Sequence, residues 1–457
     1  MVNIVGAGFA GVEAAWALAS RGVPVRLFEM RPTESTPAHT TGWFAELVCS
    51  NSLKSKQPDS PAGQLKTEMA ALGSLVLEIA HAHSVPGGQA LAVDRDAFGA
   101  AITERISSHP LIEVVASTFG PADAERLLAS GEIVVLATGP LTTEPLSHWL
   151  ANLTGRDHLY FYDAVSPTVD ASSLDRSIVF AQSRYDKGEG DDYLNCPFDK
   201  EAYYAFVDAL VAAERVPLHA FEAGGVRSGD GPELSPEKIK YFAGCTPIEA
   251  IADAGRDSLR FGNFKPVGLD DPRTGRRPYA ALQLRPENRE KTLYSLVACQ
   301  NRLRFGEQKR VFQMVPGLEK AEFVRYGVIH RNTYIEAPRV LTSTLEMRDC
   351  PNLYVTGQLS GVEGYVESAA MGIYTGLAIY RKLNGLPEVF PPRATAYGSL
   401  LSHLQDETPR EFAPMNINWG LLPDPEVEMR DKGRKRAFKI ESALQGLSKW
   451  QGELLGG

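Results

Sequence analysis

Residues 2–11 read VNIVGAGFAG, and this stretch decides the fold. Residues 2–5 predict a short buried strand, and a glycine turn of the form GxGxxG follows at once. Gly6 makes the tight turn, Gly8 lets the backbone approach a pyrophosphate, and Gly11 lets the next helix pack closely on the sheet. The stretch therefore predicts the strand, turn and helix of a nucleotide-binding unit.

The sequence after the turn completes this unit. Residues 12–20 predict an alanine-rich helix that stops near Gly22, and residues 23–28 predict a second strand that ends at Glu29. Glu29 lies 23 positions after Gly6, close to the spacing of about 20 expected for an acid that binds a ribose hydroxyl. The N–H groups at the start of the helix are expected to face the phosphates.

Two later segments favour FAD over NAD as the nucleotide. Residues 133–139 (IVVLATG) and 352–357 (NLYVTG) each predict an apolar strand that ends in Thr-Gly, and a helix is predicted over 366–383. These segments resemble the inner and closing strands of FAD-binding flavoproteins of the glutathione reductase type. Such proteins often carry Asp after the closing Thr-Gly, whereas this chain has Gln358. No second GxGxxG follows a strand, so we expect a nicotinamide donor to visit the flavin only briefly.

The fold class that these signals predict is α/β. We expect a Rossmann-type, glutathione reductase-like FAD-binding domain that is split over residues 1–160 and 315–457. An inserted α/β domain over 160–315 is expected to face the substrate, and within it 200–215 and 289–303 are predicted to be helical. A chain of 457 residues is long enough for several such units.

Composition excludes several classes of protein. Hydrophobic residues make up 44% and charged residues 23% of the chain, as in ordinary globular proteins. The formal charge of −9 excludes a chain that is basic overall. No run of about 18 apolar residues predicts a membrane span. The first residues do not resemble a secretory leader, and the five cysteines form no CxxC motif, so a reducing, cytoplasmic location is the expectation. No metal-ligand pattern is present.

Basic charge is concentrated in two places. Residues 260–310 hold twelve basic and five acidic residues, and residues 430–439 hold six basic residues and one acid. The first run is interleaved with aromatic residues, namely Tyr279, Tyr294, Phe305 and Phe312. Such a mixture suits a phosphate backbone and stacked bases, but it is equally typical of a solvated face over core aromatics.

The cysteines differ in their sequence contexts. Cys49 precedes the polar run 50–52, which could cap a helix, and Cys245 lies on a turn that enters a helix near Pro247. Both contexts favour an exposed, reactive thiol. Cys299 is predicted to be a core residue on an apolar helix. Cys350 is predicted to be structural, and the context of Cys196 leaves its role open.

Six segments together carry a resemblance to a known family: 6–11, 45–53, 193–197, 244–249, 327–334 and 357–370. They resemble the bacterial folate- and FAD-dependent tRNA (uracil-5-)-methyltransferases, short relatives of the wobble-uridine tRNA modification flavoproteins. Residues 361–370 (GVEGYVESAA) and 244–249 (GCTPIE) favour the methyltransferases over those relatives. The relatives also carry a further C-terminal helical region, for which this chain has no room.

The resemblance implies an enzyme that binds FAD and takes a one-carbon unit from 5,10-methylenetetrahydrofolate, with NAD(P)H as the reductant. The target that it implies is the T-loop uridine of tRNA, which becomes ribothymidine. A thiolate that adds to C6 of the uracil would activate C5, a case of covalent catalysis, and the base must first leave its stack. Cys245 is the expected nucleophile and Cys49 the thiol beside the flavin, while the reverse assignment and a redox pair stay open.

The resemblance also suggests an aromatic cover for the folate, from His330, Tyr334 or Tyr365, unless these residues only pack the flavin floor. Three alternatives to the methyltransferase stay open at this stage: a wobble-uridine modification flavoprotein, an FAD oxidoreductase of a small metabolite, and a non-catalytic flavin-containing RNA-binding protein. No membrane and no obligate protein partner are expected. The residues expected to bind the cofactor are Gly6, Ala7, Gly8, Phe9, Ala10, Gly11, Glu29, Thr138, Gly139, Gly357, Gln358, Gly361, Val362, Gly364 and Tyr365.

Overall fold

A computed structural model gives the structure of this chain. It describes residues 1–36, 38–155, 159–186, 190–216, 241, 246–408, 412–426 and 429–455. The predicted nucleophile Cys245 therefore lies outside the described residues. Within the described ranges, no helix is both long and apolar enough to cross a membrane.

The described residues form seventeen strands and fourteen α-helices. The strands are β1 Val2–Val5, β2 Val25–Glu29, β3 Ser52–Ser55, β4 Ser84–Val85, β5 Ala90–Val93, β6 Ile112–Ala116, β7 Ile133–Leu136, β8 Leu159–Ala164, β9 Thr168–Asp170, β10 Phe180–Ala181, β11 Leu194–Phe198, β12 Ala280–Pro286, β13 Leu293–Leu296, β14 Phe323–Arg325, β15 Ile329–Tyr334, β16 Glu346–Met347 and β17 Cys350–Val355. The helices are α1 Phe9–Ala19, α2 Pro61–Ala71, α3 Leu75–Ala82, α4 Arg95–Ser107, α5 Pro121–Ala129, α6 Glu144–Thr154, α7 Lys200–Ala212, α8 Ile248–Asp253, α9 Ser258–Phe261, α10 Phe305–Phe312, α11 Ala337–Val340, α12 Tyr365–Leu383, α13 Ala396–Leu404 and α14 Lys432–Leu455.

A mostly parallel sheet carries the glycine turn. Its strand order is β16-β17-β7-β1-β2-β6, and every neighbouring pair except β16–β17 is parallel. All residues of β1 and β7 are buried, as expected where helices cover both faces of a parallel sheet. This is the Rossmann-type α/β fold that the first residues predict, with β1, α1 and β2 as its opening unit.

Close helix packing fixes the position of α1. This helix packs against α12, and a Cβ at Gly372 of α12 would lie only 2.2 Å from the carbonyl oxygen of Ala10. A Cβ at Gly376 would lie 2.8 Å from the Cβ of Ala17. The two glycines thus let the backbones approach each other, and the N-terminal ends of both helices meet at the same edge of the sheet.

A second sheet has a different character. Its order is β10-β11-β12-β13-β9-β14 and its pairs are antiparallel. It has a hydrophobic core of its own, built from residues between Val169 and Phe323. Strands β8 and β15 form a separate antiparallel ribbon. They lie where the chain passes from the first sheet to the second and where it returns. The predicted split with boundaries near 160 and 315 stays a proposal, and strand β14 at Phe323–Arg325 belongs to the second sheet.

Two local expectations were wrong. Residues 289–303 contain the buried strand β13 and not a helix, and Cys299 lies in the turn after it, where Ala298 has a φ of 57°. A short continuous apolar run does not distinguish a buried strand from a helix segment, and pairing with β12 and β9 decides in favour of the strand. The polar run after Cys49 caps no helix, because strand β3 begins at Ser52.

Candidate functional site

A cleft lies at the carboxyl ends of the parallel strands, the place where open α/β sheets bind ligands. It encloses about 1080 Å³ of space that is open to solvent. Its walls come from the glycine turn after β1, the end of β2, and the segments that follow β6, β7 and β17. The lining residues include Gly6, Gly8, Phe9, Ala10, Glu29, Arg31, Glu46, Val48, Ser117, Thr118, Thr138, Gly139, Thr356, Gly357, Gln358, Tyr365 and Ser368.

The glycine turn fits a dinucleotide phosphate. A Cβ at Gly8 would meet no atom within 4 Å, so this part of the backbone faces open space. Gly8 is also the N-cap of α1, where no side chain caps the helix and no acidic residue lies in the first turn. An uncapped helix N-terminus with no acidic residue in its first turn attracts anions.

The other two glycines of the motif serve packing. Gly6 has a φ of 96°, which L-residues rarely adopt. A Cβ at Gly11 would lie 1.8 Å from the carbonyl oxygen of Gly6, so only glycine lets α1 start this close to the sheet. Gly11 therefore shapes the cleft without lining it.

The acid at the end of β2 is already hydrogen-bonded on both oxygens. Its Oε2 accepts from the backbone N–H of Ala7 at 2.8 Å and from Nη2 of Arg31 at 3.1 Å. The Oε1 of Glu29 accepts from the backbone N–H and Nε of Arg31. Burial alone would raise the pKa of Glu29, but the hydrogen bonds and charge of Arg31 lower it below the usual value. Glu29 is therefore an ionised hydrogen-bond acceptor in the wall of the cleft.

The closing segment begins at Gly357, whose φ of 68° turns the chain away from β17. The Gln358 side chain, which stands where related flavoproteins often have Asp, donates from Nε2 to the Glu363 carboxylate at 2.6 Å. Helix α12 then begins at Tyr365, so a second helix N-terminus meets the cleft.

The structure separates the predicted cofactor residues into two groups. Ten of them line the cleft: Gly6, Gly8, Phe9, Ala10, Glu29, Thr138, Gly139, Gly357, Gln358 and Tyr365. The other five lie behind its walls: Ala7, Gly11, Gly361, Val362 and Gly364. Val362, for example, is buried beside Met415.

The ring of Tyr365 connects the cleft to Cys49. It stacks on Phe9 with ring centroids 4.7 Å apart, and its hydroxyl accepts a hydrogen bond from the backbone N–H of Cys49 at 2.7 Å. The Cys49 thiol is half-buried, and its Sγ lies 4.0 Å from the carbonyl oxygen of Ala164 at the end of β8. The structure thus brings Cys49 beside the mouth of the cleft.

A cluster of charged residues surrounds the segment that carries Cys49. Arg95 donates to the carbonyl oxygens of Leu47 and Cys49 and forms a buried ion pair with Glu287. Burial would raise the pKa of Glu287, but Arg95 beside it lowers the pKa to about 2. The ion pair is therefore charged at every pH at which the protein is expected to work.

Two further guanidinium groups complete this cluster. Arg285 donates to the Asn51 side chain, and Nε of Arg325 is buried without a hydrogen-bond partner among the described residues. Burial and the nearby Arg95 lower the pKa of Arg325. No motif in the sequence predicts a role for Arg95 or Glu287. The two residues lie 192 positions apart, and a single sequence gives no indication that they form an ion pair.

The segment that contains Cys245 joins the described structure at both of its ends. The backbone N–H of Val216 donates to Arg302, and that of Ile248 donates to Gln300. Pro247 is the N-cap of α8. Glu249 in this helix is buried, with Oε1 bonded to the backbone N–H of Arg302 and Oε2 without a partner among the described residues. Burial raises the pKa of Glu249.

The remaining cysteines are less accessible. Cys196 and Cys299 are buried in the core of the second sheet, and burial raises the pKa of both thiols. Cys350 is half-buried at the start of β17, and burial also raises its pKa. Raised pKa values disfavour the thiolate, which is the nucleophilic form.

The structure does not bring Tyr334 to the cleft. Its ring is buried against Phe412, and its hydroxyl donates to the carbonyl oxygen of Phe412 at 3.4 Å. His330 lies in β15, four positions earlier in the chain. The assignment of these residues to folate stays a prediction.

Comparison with known proteins extends these observations. Residues 1–387 match the family described as glucose inhibited division protein A. The methylenetetrahydrofolate–tRNA-(uracil-5-)-methyltransferase TrmFO of Desulforudis audaxviator is 51% identical over 451 residues, 98% of each chain. The protein of the same name from Heliobacterium modesticaldum is 49% identical over 455 residues, 99% of this chain and 98% of that one.

Solved structures show the same fold. Aquifex aeolicus GidA in its form I crystal superposes with a TM-score of 0.66 at 15% identity, over 99% of this chain and 75% of that one. The form II crystal gives a TM-score of 0.64 at 14% identity, over 99% and 73%. At this identity the likeness shows the fold alone.

Proposed function

Because this chain belongs to the glucose inhibited division protein A family and, within it, to the TrmFO methyltransferases, we propose that it is a methylenetetrahydrofolate–tRNA-(uracil-5-)-methyltransferase. It uses FAD and NAD(P)H to methylate C5 of the T-loop uridine and so produces ribothymidine. One observation carries the proposal from the structural side: Cys49 is held beside the dinucleotide cleft by a hydrogen bond to Tyr365, a ring that lines that cleft.

The cleft provides what FAD requires. Gly8 and the start of α1 would hold the pyrophosphate, Glu29 would accept a ribose hydroxyl, and the N-terminal end of α12 would face the flavin ring. Bound FAD, once reduced by NAD(P)H, supplies the chemistry that transfers the methylene of 5,10-methylenetetrahydrofolate and reduces it to a methyl group. The stacked rings of Phe9 and Tyr365 give the cleft an apolar wall on the side of Cys49.

A cysteine thiolate activates the uracil. It adds to C6, and the electron density that moves to C5 attacks the one-carbon unit. Loss of the C5 proton and of the one-carbon carrier leaves an exocyclic methylene, and hydride addition to that methylene expels the thiolate and restores the C5–C6 double bond. We assign the addition to C6 to Cys245 and a position beside the flavin to Cys49. Arg95 donates hydrogen bonds to the carbonyl oxygens of residues 47 and 49 and so fixes the backbone that carries the Cys49 thiol.

The division of labour between the domains is part of the same proposal. Residues 1–160 and 315–457 hold the cofactor, and residues 160–315 face the tRNA. The basic segment 260–310 supports this assignment, since guanidinium groups bind phosphates. We place the enzyme in the cytoplasm, where its tRNA substrate is found.

Methyl transfer into an unmodified tRNA transcript tests the proposal. The purified protein receives labelled methylenetetrahydrofolate and NAD(P)H, and a parallel transcript carries a replaced T-loop uridine. We expect label in the first transcript and none in the second. A flavin-loaded protein that NAD(P)H reduces but that labels neither transcript would overturn the proposal in favour of a wobble-uridine relative or a small-molecule oxidoreductase.

A further inference from the structure

Three aromatic rings form a nearly parallel stack whose last ring is exposed. Phe323 stacks on Tyr326 with centroids 5.4 Å apart and planes inclined by 13°. Tyr326 stacks on Phe305 at 5.2 Å and 23°. Phe305, the first residue of α10, is nevertheless 58% exposed to solvent. Since Tyr326 covers one face of this ring, its other face is open to solvent.

The position of the Phe305 ring differs from that of Tyr279, Tyr294 and Phe312, the other aromatic residues named with the basic segment 260–310. Tyr294 and Phe312 are buried, and they belong to the core of the second sheet. Tyr279 is half-buried beneath the guanidinium of Arg260, 4.1 Å from it. Packing of the core explains these three rings, but it does not explain why Phe305 extends the stack into solvent.

Positive charge flanks the open face. Arg304 precedes Phe305 and is 60% exposed, and its contact with Glu214 is a loose 3.5 Å pair between two exposed side chains. Such pairs contribute little and exchange readily. Lys309 lies four residues after Phe305, hence on the same side of α10, and makes no salt bridge within the described ranges. An exposed aromatic face between two available cations fits a nucleobase with its neighbouring phosphates.

The stack is also connected to the site. Gln308 of α10 exchanges hydrogen bonds with both backbone groups of Gly327, the residue after Tyr326. The Gly327 backbone packs against the carbonyl oxygen of Val165. The residue before Val165 is Ala164, whose carbonyl oxygen lies 4.0 Å from the Cys49 thiol. The stack thus stands at the edge of the region that contains Cys49.

The backbone just before Phe305 pairs with Glu214 and Arg215, which precede the segment that contains Cys245. Arg215 and Leu303 form an antiparallel bridge, and the backbone N–H of Arg304 donates to Glu214. The end of that segment returns to Gln300 through Ile248. Phe305 is therefore the next residue after the stretch 300–304, whose backbone contacts the residues on both sides of the segment that contains Cys245.

We propose that the open face of Phe305 stacks on one unpaired base of the tRNA, with Arg304 and Lys309 on adjacent phosphates. The inference rests on the proposed function and makes it more specific, since Phe305 becomes a positioning residue for the tRNA. It performs no chemistry. Because every base has a π face, stacking fixes where the strand lies and does not select a sequence.

The test compares tRNA affinities of the FAD-loaded protein at one moderate salt concentration. The variants are Phe305→Ala, Phe305→Leu and Phe305→Trp. The matched control is Phe390→Ala, since Phe390 is 42% exposed and follows the end of α12 that lies away from the cleft. FAD content and the rate of reduction by NAD(P)H are measured for each variant, and we expect both to equal the wild-type values.

We expect Phe305→Ala and Phe305→Leu to weaken tRNA binding by about tenfold or more, in the range of a lost base stack. Phe305→Trp should retain affinity, and the fluorescence that it adds should be quenched on binding. A series of transcripts is then prepared, each with one abasic site. One of them should bind the wild-type protein more weakly than the intact transcript does. The Phe305→Ala variant should bind that same transcript and the intact one equally well.

Two outcomes would overturn the inference, and they are distinguishable. Wild-type affinity in Phe305→Ala, with no quenching in Phe305→Trp and normal methylation of tRNA, would refute the base stack and leave the proposed function intact. A wild-type protein that neither binds nor methylates tRNA would refute the proposed function and the inference with it.

Discussion

The backbone N–H of Cys49 donates to the hydroxyl of Tyr365 over 2.7 Å, although the two residues are 316 positions apart. This bond joins the thiol segment to the first residue of α12. Tyr365→Phe keeps the ring on Phe9 but removes the acceptor. We expect normal FAD content and a loss in methyl transfer of about tenfold, because a buried N–H left without a partner costs about 1–3 kcal/mol.

The matched control for that variant is Tyr334→Phe, which removes a buried tyrosine hydroxyl outside the cleft. It should leave methyl transfer within about twofold of the wild type. Equal rates in Tyr365→Phe and Tyr334→Phe would show that the bond to Cys49 does not matter for the reaction.

The glycine turn gives a pair of contrasting substitutions. Gly8→Ala adds a methyl group to open space at an ordinary φ of −75°, so the thermal stability of the apoprotein should not change. FAD affinity should fall by about tenfold, since the methyl group keeps the phosphates from the backbone. Equilibrium dialysis and thermal melting of apoprotein measure the two quantities.

Gly11→Ala should behave in the opposite way. Its Cβ would lie 1.8 Å from the Gly6 carbonyl oxygen, so α1 must move and the apoprotein itself should lose stability by roughly 1–3 kcal/mol. If both variants lost FAD while both melted like the wild type, the assignment of separate roles to these glycines would be wrong.

Glu287 predicts a pH dependence of stability. Its pKa falls from the ordinary value to about 2 beside Arg95, so its contribution is present above about pH 4.5 and is lost as the pH falls toward 2. Glu287→Gln should flatten the decline in the free energy of unfolding between pH 5 and pH 3. It should also cost about 3 kcal/mol at neutral pH, since Arg95 stays buried without its partner.

Glu78→Gln is the control for that experiment, because it breaks the exposed pair with Arg105. We expect an effect below about 0.5 kcal/mol at any pH. Identical pH profiles of the two variants in urea titrations would show that Glu287 does not cause the decline.

For Glu13 we expect the free energy of unfolding to change with pH in the opposite direction. Its carboxyl accepts from the Ser74 hydroxyl and from the backbone N–H groups of Leu75 and Val76 at the start of α3. Burial outweighs these bonds and raises the pKa to about 7. A raised acid pKa stabilises the fold fully below about pH 4.5, and the contribution is lost as the pH rises to about 7.

Glu13→Gln keeps an acceptor for α3 but cannot ionise. The decline in wild-type stability between pH 5 and pH 8 should therefore be smaller in this variant, as measured by chemical denaturation at several pH values. A decline as steep as in the wild type would show that Glu13 does not cause it.

The roles proposed for Cys245 and Cys49 can be told apart with a tRNA that carries 5-fluorouridine at the target. A fluorine at C5 cannot leave as a proton does, so the thioether at C6 should persist. Cys245→Ala should form no covalent complex, while Cys49→Ala should still form one. A complex that survives in Cys245→Ala and vanishes in Cys49→Ala would exchange the two roles.

Local sequence predicted the nucleotide-binding half well for a physical reason. The tight turn at Gly6 and the close approach at Gly11 admit only glycine, and buried parallel strands such as β1 and β7 are continuously apolar. Spacing along the chain therefore reports geometry directly. The strand β17 and helix α12 follow the same rule.

Contacts between distant segments could not be predicted in this way. Nothing near Arg95 in the sequence indicates that it pairs with Glu287. The sequence of 289–303 predicts a helix, because apolar residues alone do not show which neighbour they will meet. Contacts with distant segments, which only the fold supplies, decide both cases.

Arg31 has a consequence for how the two ends of the site depend on each other. Its one guanidinium binds Glu29 at the end of β2 and also Glu46 and the carbonyl oxygen of Trp43, in the segment that leads to Cys49. A ribose hydroxyl that engages Glu29 must therefore compete with a group that also organises the approach to the thiol. If the ribose binds as proposed, we therefore expect occupancy of the nucleotide end and order at the thiol end to be thermodynamically linked, with equal strength in both directions.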